Sequence, residues 1–525
     1  MKNRPYPLYE VDAITDLRQM IALKAKDHPS SYALAYFLRD DIRYVSYSSF
    51  YKEVMCLGNQ ILTDNRFGRH IGILGENSYE WLLAFFAIIN SGRVAVLFDK
   101  DMDTEEINDL SGKFEVDSLF YSSKSKNKVP DESILYSVCL DDTHEMIDHA
   151  YENSNETDNP YESVSIDPFE CCCIFFTSGT TGERKGVMLS HANLASDIVG
   201  SSRLFRLEGN TYTVLPFHHA FGLIVGVLMV FHYGYTVYLS SGLKRIRKEL
   251  ALAQPQTMML VPLFIENFEK QIRDTAKKEN REHAMRMGAL LCNLLYSVGI
   301  DIRKKVFKSV KGSFGGNLEF IICGGAALDR RYIELFRTFG IEILCGYGTT
   351  ECSPCVGVNR NHYHKDGTVG VAIPGSEVRM DDSGEILIRG PHVMLGYYKN
   401  DSATKEVLTE DGWYRSGDLG RIDDDGFITL TGRKKNLIIL SNGENVSPEE
   451  LEDRIRNIEG VDEVLVSEEN GRIKAEVYSS DSTLRECVIK GIDELNRKLP
   501  PYKRIESTAF RDEEFEKTTS MKIKR

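Results

Sequence analysis

Short apolar runs alternate with amphipathic segments early in the chain, and this alternation limits the possible folds more than any other feature. Residues 70–75 and 94–98 are apolar runs of strand length, whereas residues 78–91 and 104–114 carry apolar side chains at helical spacing. Residues 118–122 form a further short run. Strands joined by helices of this length pair in parallel. The pattern therefore predicts an α/β domain in which helices cover a parallel sheet.

The character of the sequence changes twice towards the C-terminus. From residue 369, short strand-like runs are separated by glycines, which is typical of a small β-rich region. From residue 433, helical and strand-like segments follow one another over a stretch long enough for a separate domain. We therefore expect a large N-terminal domain of layered α/β sheets over residues 1–432, with residues 369–432 as its β-rich part. A small α+β domain is expected over residues 433–525.

Composition narrows the classes of function. The chain has 525 residues, of which 42% are hydrophobic and 27% are charged, so a globular protein is expected rather than a disordered or fibrous one. Its formal net charge of −14 argues against a protein that coats nucleic acid, because neutralising phosphates requires a basic face. Two short basic clusters, at residues 244–248 and 303–311, are typical of solvated helix faces.

Cysteine usage and the apolar segments indicate the compartment. The eleven cysteines are odd in number, and three lie in succession at residues 171–173, so they do not form a disulfide framework. The first residues lack the apolar core of a signal peptide. Residues 220–231 are apolar but fall short of the roughly twenty residues that span a bilayer. We expect a buried helix followed by a strand there, in a cytoplasmic protein without a transmembrane segment.

Residues 177–186 combine small, hydroxyl-bearing and basic residues directly after an apolar run. The segment reads Thr-Ser-Gly-Thr-Thr-Gly-Glu-Arg-Lys-Gly, and Ser190 beyond it is a candidate N-cap for the next helix. Free backbone N–H groups, hydroxyl donors and the Lys185 ammonium are what a chain of phosphates requires. The spacing excludes a Walker P-loop, since no GxxxxGK(S/T) pattern occurs. A flexible hairpin without a ligand is the alternative interpretation.

The stretch FFTSGTTGERKGVMLSHANL, which begins at Phe175, resembles the phosphate loop of the adenylate-forming superfamily. That superfamily contains acyl-CoA synthetases, nonribosomal peptide adenylation domains and firefly-type luciferases. Five further motifs resemble those of the family and occur in the expected order: CGGAA at residues 323–327, GYGTTE at 346–351, WYRSGD at 413–418, GRKK at 432–435 and KTTSMKI at 517–523. The sequence is therefore identified as a member of this superfamily, most similar to its long-chain fatty-acid–CoA ligases.

The resemblance implies an enzyme that uses ATP and Mg²⁺ to convert a carboxylic acid into an acyl-adenylate with release of pyrophosphate. The acyl group would then pass to the thiol of coenzyme A, giving acyl-CoA and AMP. The small C-terminal domain would be a mobile lid with its hinge at Lys435. The implied catalytic residues are Lys522, which bridges the substrate carboxylate and the α-phosphate, the magnesium ligand Glu351, and His219, which borders the acyl pocket.

The resemblance also implies which residues bind the nucleotide and the acceptor. The implied set is Thr177, Ser178, Gly179, Thr180, Thr181, Gly182 and Lys185 at the phosphates; Gly325, Ala326, Ala327, Tyr347, Gly348, Thr349 and Thr350 around adenine; Asp418 and Arg433 at the ribose; and Gly443, Glu444 and Asn445 facing the acceptor thiol.

Three residues depart from the family pattern. Arg184 stands where proline is usual and is expected to loosen the phosphate loop while adding a cation. Ser416 replaces threonine, which is a mild change. Met521 stands where glycine usually precedes the catalytic lysine, so Lys517 and Lys524 are alternatives to Lys522.

Residues 305–327 and 432–452 resemble the long-chain branch of the family, so a medium- or long-chain fatty acid is the expected substrate. An apolar pocket that includes residues 220–231 would suit an alkyl chain, because each buried CH₂ contributes about 0.8 kcal/mol. Three alternatives stay open: activation of an aryl or short-chain acid, transfer to the phosphopantetheine thiol of a carrier protein, and non-catalytic binding of a nucleotide or acyl group. No nucleic-acid partner is expected, while peripheral membrane contact is compatible with the sequence.

Overall fold

The computed structural model describes residues 5–39, 41–130, 133–153, 160–178, 183–440, 444–469, 472–517 and 523. The chain divides into two compact units. The first unit comprises Met1–Glu377 and Arg389–Tyr414, and the second comprises Val378–Ile388 and Arg415–Arg525. The domain boundary at residues 432–433 stays a prediction.

The described strands and helices are given in chain order. The strands are β1 (Tyr32–Leu38), β2 (Asp41–Ser46), β3 (His70–Leu74), β4 (Val94–Phe98), β5 (Val116–Tyr121), β6 (Tyr136–Cys139), β7 (Cys171–Ser178), β8 (Arg184–Ser190), β9 (Thr211–Thr213), β10 (Val237–Leu239), β11 (Thr257–Leu260), β12 (Phe320–Cys323), β13 (Glu342–Gly348), β14 (Cys355–Val358), β15 (Val371–Ala372), β16 (Glu377–Met380), β17 (Glu385–Arg389), β18 (Gly396–Tyr397), β19 (Tyr414–Ile422), β20 (Ile428–Arg433), β21 (Ile438–Ile439), β22 (Asn445–Val446), β23 (Glu463–Glu469), β24 (Arg472–Tyr478) and β25 (Ser507–Arg511). The α-helices are α1 (Leu17–Asp27), α2 (Tyr47–Thr63), α3 (Tyr79–Asn90), α4 (Thr104–Lys113), α5 (Thr143–Asn153), α6 (Pro160–Ser163), α7 (His191–Leu204), α8 (Met229–Tyr233), α9 (Ile246–Ala253), α10 (Pro262–Lys278), α11 (Glu282–Ser297), α12 (Arg303–Val306), α13 (Lys308–Gly312), α14 (Arg330–Thr338), α15 (Asp401–Val407), α16 (Pro448–Ile455) and α17 (Arg485–Lys498).

The first unit contains a seven-stranded sheet in the order β18-β8-β7-β4-β3-β5-β6. Its centre is parallel, with β4, β3, β5 and β6 paired in the same direction and β7 parallel to β4. β8 then returns antiparallel to β7, and β18 is antiparallel to β8. β3 and β4 are buried along their whole length, as expected for strands covered on both faces.

A second, nine-stranded sheet in the first unit has the order β15-β14-β13-β12-β11-β9-β10-β1-β2. Its central pairs are parallel, from β1–β10 through to β12–β13, and antiparallel pairs close both edges. The core of this layer includes Tyr212, Ile265, Ile321 and Phe336, all of which are fully buried. These layers confirm the predicted α/β fold class.

Side-chain caps fix where the helices begin. The Ser78 hydroxyl accepts a hydrogen bond from the backbone N–H of Trp81 at the start of α3. At α7, Ser190 and Asn193 form a reciprocal capping box, which confirms Ser190 as the predicted N-cap. The chain after β8 therefore turns directly into α7.

The apolar segment at residues 220–231 folds as a π-helix, Phe221–Leu228, that continues into α8, and the short strand β10 follows. This confirms the predicted helix and strand. Among the described residues, no helix is both long and apolar enough to cross a membrane.

The second unit contains a four-stranded sheet, β16-β17-β19-β20, the short pair β21-β22 and a three-stranded sheet, β23-β24-β25. β23 and β24 are antiparallel, whereas β24 and β25 are parallel. Helices α16 and α17 pack on the last sheet through Leu451, Ile455, Val488 and Ile492, all of which are buried. The predicted helix and strands of the C-terminal region are therefore present.

Candidate active site

The ends of the phosphate loop are held by a two-stranded ladder. β7 and β8 pair antiparallel, with Thr177 opposite Lys185 and the backbone of Ser178 opposite that of Arg184. Residues directly opposite each other in an antiparallel pair project to the same face. The Thr177 hydroxyl and the Lys185 ammonium therefore leave the hairpin on one side.

Six of the predicted site residues lie outside the described residues: Gly179, Thr180, Thr181, Gly182, Gly443 and Lys522. The side chain of Ser178 and the alternative lysine, Lys524, also lie outside them.

The C-terminal flank of the loop is tied to helix α4. Arg184 forms an ion pair with Glu106 through its Nε, and the Lys113 Nζ lies 2.8 Å from an Oε of Glu183. The guanidinium that Arg184 adds beside the loop is therefore paired with Glu106.

Glu351 is joined to Lys185 through a residue that the sequence did not single out. The Tyr397 hydroxyl donates a hydrogen bond to Glu351 Oε1 at 2.9 Å, and Lys185 Nζ lies 4.8 Å from the centroid of the Tyr397 ring. This contact is a cation–π interaction. Burial and the adjacent Glu351 carboxylate raise the pKa of Tyr397, so its hydroxyl stays protonated and donates.

The backbone fixes Tyr397 and Glu351 together. β18 is two residues long and places Tyr397 opposite Val187 of β8. Val187 follows Lys185 by two residues in that strand. The backbone N–H of Met394 also donates to the Glu351 carbonyl at 2.8 Å. A cation, a phenol and a carboxylate therefore form one connected group at the hairpin.

The two motifs that are expected to contact adenine lie at the same edge of the nine-stranded sheet. β12 and β13 are parallel, with Cys323 opposite Cys345, so the segments that follow them emerge side by side. Gly325, Ala326 and Ala327 form an exposed loop, and Gly325 has φ +83°, a conformation that favours glycine. This loop and Glu351, at the end of β13, therefore share one edge.

Tyr347 is buried at 7% exposure near the end of β13, where it pairs with Gly357. The turn beyond it depends on Gly348, because a Cβ there would lie 1.8 Å from the carbonyl oxygen of Pro354. Thr349 follows, and its backbone N–H donates to the same oxygen at 2.9 Å. Thr350 and Glu351 then form a short 3₁₀ helix, Thr350–Cys352.

The two histidines meet a carboxylate at the end of β4. His218 Nε2 lies 3.3 Å from Asp99 Oδ1, with both side chains buried, and the His219 ring centroid is 4.4 Å from that of His218. Leu97 is opposite Phe175 in the β4–β7 pair, so Asp99 lies at the level of Thr177. The histidine pair therefore reaches the edge where the phosphate loop begins.

Burial and the neighbouring His219 lower the pKa of His218 to about 3, so its imidazole is neutral near pH 7. Burial raises the pKa of Asp99, but His218 and the backbone N–H of Asp101 outweigh it and leave that pKa below its usual value. One ligand atom from each of Asp99, His218 and His219 lies within 4.8 Å of the others, so they form a possible metal-ligand set.

In the second unit, Asp418 and Arg433 face each other across the β19–β20 pair. Arg433 Nε lies 2.9 Å from Asp418 Oδ1, with the Asp418 side chain buried and that of Arg433 about half exposed. Ser416 accepts the Asp418 N–H and donates to the carbonyl of Ile386 at 2.8 Å. Serine therefore supplies the hydroxyl that the threonine of the family pattern would supply.

The remaining residues of the second unit are placed as follows. Lys435 lies in a 3₁₀ helix, Lys434–Asn436, with most of its side chain exposed. The part of the side chain that is buried and the neighbouring Arg433 cation lower the pKa of Lys435. Glu444 and Asn445 are exposed at the start of β22. Lys517 is engaged elsewhere, since its Nζ lies 2.6 Å from Glu463.

The model of the AMP-binding enzyme family matches residues 21–398. The chain belongs to the AMP-binding enzyme family.

Curated relatives are fatty-acid–CoA ligases by name. Long-chain-fatty-acid–CoA ligase FadD15 of Mycobacterium tuberculosis is 30% identical over 419 residues, covering 74% of this chain and 69% of the relative. Long chain acyl-CoA synthetase 4 of Arabidopsis thaliana is 26% identical over 520 residues, covering 88% of this chain and 77% of the relative.

Solved structures share the fold. ATP-bound MatB from Rhodopseudomonas palustris superposes with a TM-score of 0.76 at 21% identity, covering 97% of both chains. The Mycobacterium tuberculosis fatty acyl CoA synthetase superposes with a TM-score of 0.69 at 20% identity, covering 97% of this chain and 96% of that one. At these identities the similarity concerns the fold alone, and it agrees with the predicted architecture.

Proposed function

We propose that this protein is an ATP-dependent fatty-acid–CoA ligase that forms an acyl-adenylate and then an acyl-CoA. The observation that carries the proposal is the connected group of Lys185, Tyr397 and Glu351 at the phosphate-loop hairpin. The names of the curated relatives support a fatty acid as the substrate.

In the first half-reaction a carboxylate oxygen of the acid attacks the α-phosphorus of ATP, and the bond to the bridging oxygen breaks to release pyrophosphate. The acid is ionised at neutral pH, so no general base is needed. Catalysis then depends on positioning and on stabilising charge at the phosphoryl oxygens. Lys185 supplies a fixed positive charge, and Thr177 supplies a hydroxyl donor on the same side of the hairpin. Lys522 bridging the two anions stays a prediction from the tail motif.

Glu351 fits the proposed magnesium ligand by its chemistry, because its carboxylate offers the hard oxygen atoms that this ion prefers. Tyr397 contacts Oε1 and thereby fixes the orientation of the carboxylate. When bound, magnesium would neutralise phosphate charge.

In the second half-reaction the thiol sulfur of coenzyme A attacks the acyl carbonyl carbon, the bond to AMP breaks, and the thiol proton is released. We assign the acceptor side to Gly443, Glu444 and Asn445, and the hinge to Lys435. The support is the sequence motif together with the exposure of Lys435, Glu444 and Asn445.

The acyl chain is proposed to lie along the π-helix, Phe221–Leu228. The Phe221 ring borders the adenine loop, since a Cβ at Gly324 would lie 3.3 Å from it. Phe221 is partly exposed beside this loop, and Leu223, Ile224 and Val227 are fully buried behind it. An apolar wall beside the adenylate is what an alkyl chain needs.

We propose a cytoplasmic location on the basis of cysteine chemistry. All eleven cysteines are free thiols, and the three consecutive ones lie in β7 with two of them buried. Free thiols in this number are typical of a reducing compartment.

The proposed function predicts magnesium-dependent ATP–pyrophosphate exchange that requires a fatty acid. Exchange should increase from short to long alkyl chains, because each further buried CH₂ strengthens binding by about 0.8 kcal/mol. The measurement uses fatty, aromatic and amino acids in parallel, followed by coenzyme A or a phosphopantetheine carrier protein as acceptor. Exchange with aromatic or amino acids alone would contradict the fatty-acid assignment, and acyl transfer to the carrier alone would contradict coenzyme A.

Replacing Asp99 by Asn is expected to lower the exchange rate about tenfold with little loss of stability. Asn keeps the acceptor for the Asp101 N–H but removes the negative charge that lies 3.3 Å from Nε2 of the neutral His218 ring, so the orientation of that ring is less restrained. The rate and the thermal unfolding midpoint are measured for each variant. Asp197→Asn is the matched control, because Asp197 is likewise buried and accepts the Cys355 N–H at 2.9 Å, a contact that the amide oxygen of Asn keeps. Equal effects of the two substitutions would contradict a role for Asp99.

A further inference from the structure

A carboxylate and two imidazoles from different sheets meet at the end of β4. Asp99 follows β4 of the seven-stranded sheet, whereas His218 and His219 lie between β9 of the nine-stranded sheet and the π-helix. One ligand atom from each of the three side chains lies within 4.8 Å of the other two. Two imidazoles and a carboxylate are a ligand set for zinc and similar transition metals, with a further position left for water.

The carboxylate of this group is buried without a lysine or arginine partner in the described part of the chain. Asp99 is 3% exposed, and its Oδ2 accepts no hydrogen bond from a described residue. Lys100, the next residue, instead places its Nζ 2.7 Å from Asp101. Arg184 is paired with Glu106. Buried charges are ordinarily paired or bound to a metal ion, so the Asp99 carboxylate can accept a further cation.

His218 approaches this carboxylate with a nitrogen that makes no hydrogen bond. Its Nε2 lies 3.3 Å from Asp99 Oδ1, and its side chain is 5% exposed. The contact is not a hydrogen bond, since this Nε2 has no hydrogen-bond partner among the described residues. Two ligand atoms on one tetrahedral zinc ion, each about 2.0–2.1 Å from the metal, are about 3.3 Å apart. The spacing of the nitrogen and the oxygen therefore fits two ligands of one ion.

Hydrogen bonds hold the histidine segment and the carboxylate in place. Asn77 follows β3, the neighbour of β4 in the sheet, and its side chain reaches the residues that precede the histidines. It donates to the carbonyl of Leu215 at 2.7 Å and accepts the N–H of Phe217 at 3.0 Å. The Asp101 N–H donates to Asp99 Oδ1 at 2.9 Å and orients the carboxylate. Outer contacts of this kind fix the ligands of a metal site in advance.

His219 provides the route by which an ion reaches the group. Its side chain is partly exposed, whereas Asp99 and His218 are buried. Its ring centroid lies 4.4 Å from that of His218. Its backbone carbonyl accepts the Leu223 N–H at 3.1 Å, which fixes His219 at the start of the π-helix. An ion can therefore enter beside His219 without opening the core.

We propose that Asp99, His218 and His219 bind a divalent transition-metal ion of the zinc type. Imidazole ligands favour such ions over magnesium and calcium, which prefer oxygen ligands. The site shares no residue with the magnesium position proposed at Glu351, which follows β13 of the nine-stranded sheet. The inference goes beyond the proposed ligase activity and does not depend on it, because zinc binding is measured without ATP or a fatty acid.

Equilibrium dialysis of the full chain against zinc tests the proposal. The Cys487→Ser protein is the background, because the exposed Cys487 thiol is itself a zinc ligand. It should bind zinc at one tight site per chain, keep the zinc in excess magnesium and unfold a few degrees higher when zinc is saturating. Asp99→Asn and His218→Asn should each lower the affinity about 100-fold or more, since loss of an outer contact alone lowers metal affinity about 10- to 100-fold.

Two further variants separate the site from general effects. His219→Asn changes the partly exposed ligand, so it disturbs the packing least and should show the same loss of affinity. Glu80→Gln with His144→Asn removes another carboxylate–imidazole pair, 3.1 Å apart, and should bind zinc like the background protein. Thermal unfolding without zinc checks that each variant is folded. No zinc binding by the background protein, displacement of its zinc by excess magnesium, undiminished affinity in the three ligand variants, or an equal loss in the Glu80 and His144 control would overturn the proposal.

Discussion

Pyrophosphate exchange is expected to fall by about two to three orders of magnitude when Glu351 is replaced by Gln. The amide keeps the size of the side chain and can still accept the Tyr397 hydroxyl, so the fold is retained. It removes the negative charge and replaces the second carboxylate oxygen, the one proposed for magnesium, by an NH₂ group. Exchange is measured at several magnesium concentrations. A variant that keeps exchange within a few-fold of the unaltered protein at low magnesium would contradict the assignment of Glu351.

Tyr397→Phe is a milder substitution in the same group of side chains and is compared with Glu351→Gln. The phenyl ring keeps the contact with Lys185 but removes the hydrogen bond to Glu351. A hydrogen bond to a charged acceptor contributes about 1.5–3 kcal/mol, so a loss of about tenfold or more in exchange is expected. Because Glu351 keeps its charge in this variant, added magnesium should restore part of the rate, which it should not do for Glu351→Gln.

The parts of the fold that were predicted correctly are those whose secondary structure is encoded by the spacing of apolar residues within one segment. The run at residues 94–98 is β4 to the residue, and the helix expected at residues 78–91 is α3 with Ser78 as its N-cap. β4 lies in the buried parallel centre of its sheet, and α3 packs on that sheet with all but one of its residues buried, so the apolar spacing leaves little ambiguity. The described ends of the motif at residues 177–186 lie in β7 and β8, and the motif at residues 346–351 begins in β13.

The residues that the sequence did not predict depend on contacts between distant segments. Tyr397 belongs to a strand of two residues, and it becomes significant only because β18 pairs with β8 near Lys185. Asp99 is a single acid after an apolar run until His218 reaches it from another sheet. The spacing of apolar residues within one segment encodes neither contact.

Arg184 shows that the pairing of a charged side chain cannot be predicted from the sequence either. In the sequence it is one more cation beside Lys185, but the fold places Glu106 of α4 against its guanidinium. Which charges are paired is a tertiary property, and ion pairs between distant segments are not visible in the sequence. Lys185 stays the predicted cation of the phosphate loop.

Replacing Asp418 by Asn is expected to raise the KM for ATP by about two orders of magnitude. The Asp418 carboxylate is buried beside Arg433 and is proposed to accept hydrogen bonds from both ribose hydroxyls. Two hydrogen bonds to a charged acceptor, at about 1.5 kcal/mol each, correspond to a factor of roughly one hundred. The KM for ATP and the KM for the acid are measured in the same exchange assay, and only the first should change.

Glu385→Gln is the matched control for this prediction. Glu385 is a buried acid in the same sheet, it accepts the Gly417 N–H, and its second oxygen lies 2.8 Å from Lys434 Nζ. Losing that pair should lower the thermal unfolding midpoint by a few degrees while leaving the KM for ATP within a few-fold. The Asp418 variant should show the opposite pattern, because its partner Arg433 is half exposed and water can solvate the freed guanidinium. If both variants lose stability alike and neither changes the KM for ATP, Asp418 serves the sheet rather than the nucleotide.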